Sequence, residues 1–117
     1  MNLSDKLSPI YAAIDDLQFE KAIRLCGRKD IEKYDITKSL LAYSLYKSRK
    51  HAEALTVAKQ VVARKPLDET ILSTLALTLR GLNADEDLLS IYENAFELNQ
   101  TNEYLGVDLF QCYAKLR

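Results

Sequence analysis

The sequence predicts an all-α protein: an α-solenoid of antiparallel helix pairs, about three pairs plus a final unpaired helix, in one helical domain over residues 1–117. Three observations predict it. First, the chain overlaps itself when slid by 34 residues: Leu41 falls on Leu75, Ala42 on Ala76, Leu45 on Leu79 and Val61 on Ala95. A second slide puts Leu75 on Leu109 and Leu79 on Tyr113. A fixed period of this length marks a stacked helix-pair repeat, because one pair alone cannot bury its apolar face. Second, apolar residues inside each unit recur at helical spacing, as in Ala54, Leu55, Ala58, Val61 and Val62. Third, Leu, Ala, Glu, Lys and Gln are plentiful, while three Gly and two Pro leave little material for hairpin turns.

The elements follow in order. Residues 1–8 read as a frayed lead-in, with Ser4 or Ser8 as a cap and Pro9 in the first turn, where proline is tolerated. A short helix runs from Pro9 to about Asp16 and turns Ile10, Ala13, Ile14 and Leu17 inward. Leu17-Gln18-Phe19 is a tight turn without glycine. The next helix spans Glu20 to about Arg28, with Ala22, Ile23 and Cys26 inward, and ends in a charged loop through Lys33. This pair is off register, since Ala22 precedes Ala54 by 32 residues, as terminal repeats often are. The second pair lies near 35–48 and 51–65 and stops at Pro66, which cannot continue a helix. The third lies near 69–82 and 85–99, with Asp68 and Asp85 as caps and Gly81–Ala84 as the turn. Residues 103–117 form a last amphipathic helix. Its apolar Leu109, Phe110, Tyr113 and Leu116 predict a solenoid that continues past Arg117.

Composition limits the function classes. A formal charge of −1 gives no whole-protein basic field for nucleic acid. Apolar runs of a few residues cannot span a bilayer, so no membrane partner is expected. Gly27, Gly81 and Gly106 are isolated and build no phosphate loop, so no cofactor and no small-molecule substrate are expected. The single histidine, His51, has cationic neighbours Arg49 and Lys50 and no converging partners for a catalytic or metal site. Cys26 falls at a buried helix position and behaves as a small hydrophobe; neither it nor Cys112 has metal-ligand spacing. Two distant cysteines imply a reducing compartment, with a cytoplasmic location expected. The basic residues cluster at helix C-termini and turns, where they complement the helix dipole. Lys29, Lys33, Lys47, Arg49 and Lys50 also suit contact with RNA phosphates, without base reading.

The repeat carries small residues at close helix approaches (Ala42, Ala54, Ala76), a second-helix Tyr92 and Pro66 after the second pair. These identify the chain as similar to tetratricopeptide arrays. Within them it resembles the N-terminal part of the auxiliary, non-catalytic subunit of NatB-type N-terminal acetyltransferase complexes. The residues that carry this are Pro9-Ile10-Tyr11 with Ile14-Asp15, Ala22-Ile23, Glu53-Ala54 with Ala58 and Val61, Pro66 with Asp68, Tyr92-Glu93 with Ala95, and Asn102-Glu103-Tyr104 followed by Leu109-Phe110, Tyr113 and Ala114. The resemblance covers about residues 8 to 117. It implies a scaffold rather than an enzyme, whose partners are the catalytic N-acetyltransferase subunit and the ribosome. It further implies co-translational acetylation of Met-Asn, Met-Asp, Met-Glu and Met-Gln termini by that partner. Lys29, Lys33, Arg49 and Lys50 are the candidate ribosome contacts.

In such arrays the first helix of each pair lines the concave face. The register places Ile36, Ser39, Tyr43, Tyr46 and Lys47 there, then Thr70, Ser73, Leu77 and Arg80, then Tyr104, Val107, Gln111 and Lys115. Tyr43, Tyr46, Lys47, Leu77, Arg80, Tyr104, Gln111 and Lys115 are the candidate partner-binding residues, tyrosine and arginine being favoured anchors. Equally, some of the tyrosines could simply pack between repeats. Co-chaperone arrays hold a terminal carboxylate with Lys, Asn and Arg on this face. The matching places here hold Ser39, Tyr43, Thr74, Tyr104 and Asp108, so that clamp is absent. The alternative is a generic tetratricopeptide adaptor that binds a peptide or helix by another chemistry.

Overall fold

A computed structural model describes residues 2–98. They form six α-helices in three consecutive pairs: α1 (Leu3–Asp15) with α2 (Phe19–Cys26), α3 (Asp35–Lys47) with α4 (His51–Ala63), and α5 (Glu69–Gly81) with α6 (Asp85–Leu98). No strand occurs among the described residues. The expected final helix at 103–117 lies outside them.

The helix starts follow from local chemistry. Asp68 caps α5: its Oδ1 accepts from the Thr70 N–H at 2.9 Å and the Ile71 N–H at 3.1 Å. An acidic residue stands in the first turn of every helix, where the unpaired amides favour negative charge. Asp85 is the first helical residue of α6 rather than its cap.

The turns inside the pairs share one construction. After α1, the Leu17 N–H bonds the Ile14 carbonyl and the Gln18 N–H bonds the Ala13 carbonyl. After α3, Arg49 and Lys50 repeat this on Tyr46 and Leu45; after α5, Asn83 and Ala84 repeat it on Arg80 and Leu79. This is a Schellman closure, and it needs one left-handed residue. Leu17 (φ 61°), Arg49 (φ 65°) and Asn83 (φ 59°) take that conformation without being glycine. Leu17, expected inside, is therefore turned out and 74% exposed. Gly81, expected in the turn, is the last helical residue of α5.

The first helix corrects the lead-in expected over residues 1–8. α1 starts at Leu3, capped by the Asn2 side chain, which accepts from the Asp5 N–H at 2.9 Å. Pro9 sits inside the helix, not at its start. A proline there costs about 3 kcal/mol or more, through a lost i→i−4 bond and a ring clash. Leu7 is buried and Leu3 half-buried against the same core, and burying such side chains is worth about 1.5–3 kcal/mol each. Burial N-terminal to the proline offsets the break.

Two cores meet at α3. One gathers Leu7, Ile10 and Ala13 of α1, Ala22 and Cys26 of α2, Ile31 of the connecting loop, and Leu40. The other gathers Ala42 with Ala58 and Val61 of α4, Leu72, Leu75, Ala76 and Leu79 of α5, and Leu88, Ile91, Tyr92 and Ala95 of α6. Ala22, Ala42, Ala54, Ala58 and Ala76 are all buried, and their small side chains let helix backbones approach. α1, α3 and α5 consequently lie side by side, with α3 in the middle.

Candidate partner-binding groove

The first helices of the three pairs leave an open slot between α1 and α5, floored by α3. It holds two adjoining cavities. The larger, of about 470 Å3, is lined by Leu3, Ser4, Leu7 and Tyr11 of α1, by Tyr34, Asp35 and Ile36 at the start of α3, and by Asp68, Thr70 and Ile71 at the start of α5. The smaller, of about 200 Å3, is lined by Tyr11, Ile14, Leu40, Tyr43, Thr74 and Leu77. Tyr11 borders both. Spacing builds the slot: Leu3, Leu7, Tyr11 and Ile14 fall on one stripe of α1, and Ile36, Leu40 and Tyr43 on one stripe of α3. Leu77 is 57% exposed, and Tyr11 and Tyr34 nearly 40%, so apolar surface faces solvent along the slot. Partial burial, with the Asp68 charge beside it, raises the Tyr11 hydroxyl pKa above its ordinary value.

A second cluster caps the slot at the ends of α3 and α5. The Phe19 and Tyr43 rings meet edge to face at 6.4 Å. The Lys47 ammonium stands 5.7 Å from the Tyr43 ring centre and 5.6 Å from that of Tyr46. Tyr46 lies tilted on His51 at 5.6 Å and covers the Cα of Gly81, where a Cβ would meet the ring.

The candidate residues divide accordingly. Tyr43 and Leu77 line one cavity, from two different helices. Tyr46 packs on the α5 terminus, and Lys47 is held over the two rings. Arg80 is exposed in the last turn of α5. Tyr104, Gln111 and Lys115 lie outside the described residues. Ser39, expected on this face, is buried: its hydroxyl donates to the Ile36 carbonyl at 2.7 Å, so a small polar group closes its own hydrogen bond and turns inward. Sequence reasoning does not find the α1 wall, because Pro9 reads as a helix start. The Leu3, Leu7, Tyr11, Ile14 spacing is the signal that could have found it.

The four candidate ribosome contacts do not form one patch. Lys29 and Lys33 lie in the α2–α3 connection, and Arg49 and Lys50 in the α3–α4 turn. Antiparallel helices put those two connections at opposite edges of the solenoid. Two of these cations are already engaged. Lys50 pairs with Glu20 at 3.5 Å, and Lys33 stands 5.5 Å from the Tyr34 ring centre. The exposed Lys50–Glu20 pair is worth about 0–1 kcal/mol and is readily exchanged for another anion.

Among the described residues, no group of three His, Cys, Asp or Glu could hold a metal. No described helix is long and apolar enough to cross a membrane. Cys26 is buried, and burial pushes its thiol up to about 12, so it stays protonated and unreactive near neutral pH.

Comparison with known proteins agrees with the helix-pair fold. Residues 5–117 match the family described as Psidin, N-terminal TPR repeats region. The curated relatives include N-alpha-acetyltransferase 25, NatB auxiliary subunit, of Homo sapiens and of Mus musculus, each 29% identical over 113 residues, and that of Rattus norvegicus, 28% identical. Each alignment covers 95% of this chain, which spans 12% of the relative's length.

Proposed function

Since the chain belongs to the family of Psidin N-terminal TPR-repeat regions, we propose that it is a non-catalytic scaffold segment of a NatB-like N-terminal acetyltransferase assembly. In that role it binds the catalytic subunit and helps hold it at the ribosome, in the cytoplasm, for acetylation of emerging Met-Asn, Met-Asp, Met-Glu and Met-Gln termini. The observation that carries this is the alignment with NatB auxiliary subunits along 95% of the chain. The slot between α1 and α5 supports it physically. Exposed Tyr11, Tyr34 and Leu77 stand over preformed cavities, and aromatic anchors in such hollows are what protein partners use.

Ribosome contact would run through Lys29 and Lys33 at one edge or Arg49 and Lys50 at the other. Removing one phosphate-binding cation should flatten the salt dependence of binding by about one unit of slope or slightly less. Tagged protein carrying this segment should recover an N-terminal acetyltransferase catalytic subunit and ribosomes from cells. Recovery of neither would sink the proposal. Leu77→Lys, which puts a charge in the smaller cavity, should reduce capture of the catalytic subunit.

A further inference from the structure

The larger cavity has a composition that selects its occupant. Its floor is aliphatic, from Leu7, Ile36 and Ile71, and its rim carries two tyrosines and two carboxylates. Among the described residues, no Lys or Arg lines either cavity. Asp35 Oδ1 lies 2.6 Å from Arg64 Nε, an ion pair that lacks hydrogen-bond geometry. Asp68 is different. Both of its hydrogen bonds, to the Thr70 and Ile71 amides, use Oδ1, which leaves Oδ2 at the rim. Across the mouth stands Tyr11, close enough for the Asp68 charge to act on its hydroxyl. Lys33, the preceding residue in the chain, stands 5.5 Å from the Tyr34 ring centre.

We propose that the slot binds a protein segment bearing an arginine or lysine whose aliphatic stem fills the larger cavity and whose charge meets Asp68 Oδ2 beside the Tyr11 ring. A neighbouring apolar side chain of the same segment enters the smaller cavity, between Leu40 and Leu77. Long cationic side chains suit such a site, because they bury methylenes while keeping the charge at a polar rim. A carboxylate in the same place would face Asp68, so an acidic tail is rejected. The proposal rests on the slot being the partner-binding face.

The test uses the purified full chain and helical peptides that are identical except at one position. That position carries arginine, norleucine, glutamine or glutamate, one or two turns from a fixed leucine; fluorescence anisotropy reads the affinity. The arginine peptide should bind about threefold to fivefold tighter than the norleucine peptide, the upper range for an ion pair at an exposed carboxylate. Asp68→Asn should erase that preference while keeping the fold, because Asn caps a helix as well as Asp. Equal binding of arginine and norleucine overturns the proposal, as does a preference that survives Asp68→Asn. Binding of none of the peptides, or self-association of the chain through this slot, overturns it too. The groove itself is judged separately. If Leu77→Lys abolishes capture of the acetyltransferase subunit while Asp68→Asn leaves the arginine preference intact, only the cation site fails.

Discussion

Gly81 and Tyr46 provide the sharpest test of how α3 sits on α5. Gly81 is helical, so helix propensity alone says alanine should be better there, by about 0.5–1 kcal/mol. The packing says the opposite. A Cβ at Gly81 would lie 2.6 Å from Tyr46 Cε1 and closer still to Cζ and Oη. The ring must swing away, which moves it off Lys47 and His51. Overpacking of this kind costs about 1–3 kcal/mol, and loss of the cation–π attraction about 0.5–1 kcal/mol more. Since the propensity gain and the lost cation–π attraction nearly cancel, Gly81→Ala should destabilise the native chain by about 1–3 kcal/mol. In a Tyr46→Ala background the obstacle is gone, and the same change should stabilise by up to about 1 kcal/mol. Urea denaturation of the four members of this cycle, followed by far-UV circular dichroism, measures the coupling directly. A Gly81→Ala effect of the same sign and size in both backgrounds would refute this picture of the junction.

Other expectations are narrower. Leu17→Gly should raise stability by about 0.5–1 kcal/mol, seen as a higher melting temperature, because Leu17 is exposed and left-handed. Asp68→Ala should lower stability by about 1 kcal/mol through the lost cap, and Asp68→Asn should be nearly neutral in the same melts. Ala58→Leu should destabilise by about 1–3 kcal/mol, since Ala58 is fully buried between packed helices. In a Cys112→Ser background, Cys26 should resist a thiol-reactive dye until the chain unfolds. Its folded pKa is raised from 9.0 to about 12, so the unfolded thiol ionises first. The stability tied to Cys26 is thus present below pH 9.0 and is lost as pH climbs toward about 12. The measurement is the difference in alkaline denaturation between the native chain and Cys26→Ala.

The repeat was readable because its signal is periodic. Leu41, Ala42 and Leu45 have counterparts one period on; α3, α4 and α5 start and stop within about two residues of the sequence-based bounds, and α6 starts where expected. Cys26 and Ala54 were legible as buried for the same reason. What stayed hidden was decided by tertiary contact. Pro9 reads as a boundary, yet Leu3 and Leu7 bury enough surface to carry the helix past it, and with it one wall of the groove. Ile31 sits in a segment dense with charge, yet it is fully buried. Ser39 shares the groove register with Tyr43, but a hydroxyl that bonds its own backbone can be buried where a long polar side chain could not. Left-handed geometry at Leu17 and Arg49 leaves no trace in residue type.

α3 contributes Leu40 to one core and Ala42 to the other. It works as a keystone: neither half of the described structure closes without it. The groove inherits that dependence. Its floor is α3, but one wall is α1, which belongs only to the N-terminal core. If that core opens as its own cooperative unit, the wall leaves while the α3–α6 half stays folded. A ligand seated in the slot spans both halves and so acts as a splint across the seam. Its binding would slow amide exchange in α1 more than in α6, the helix it never touches.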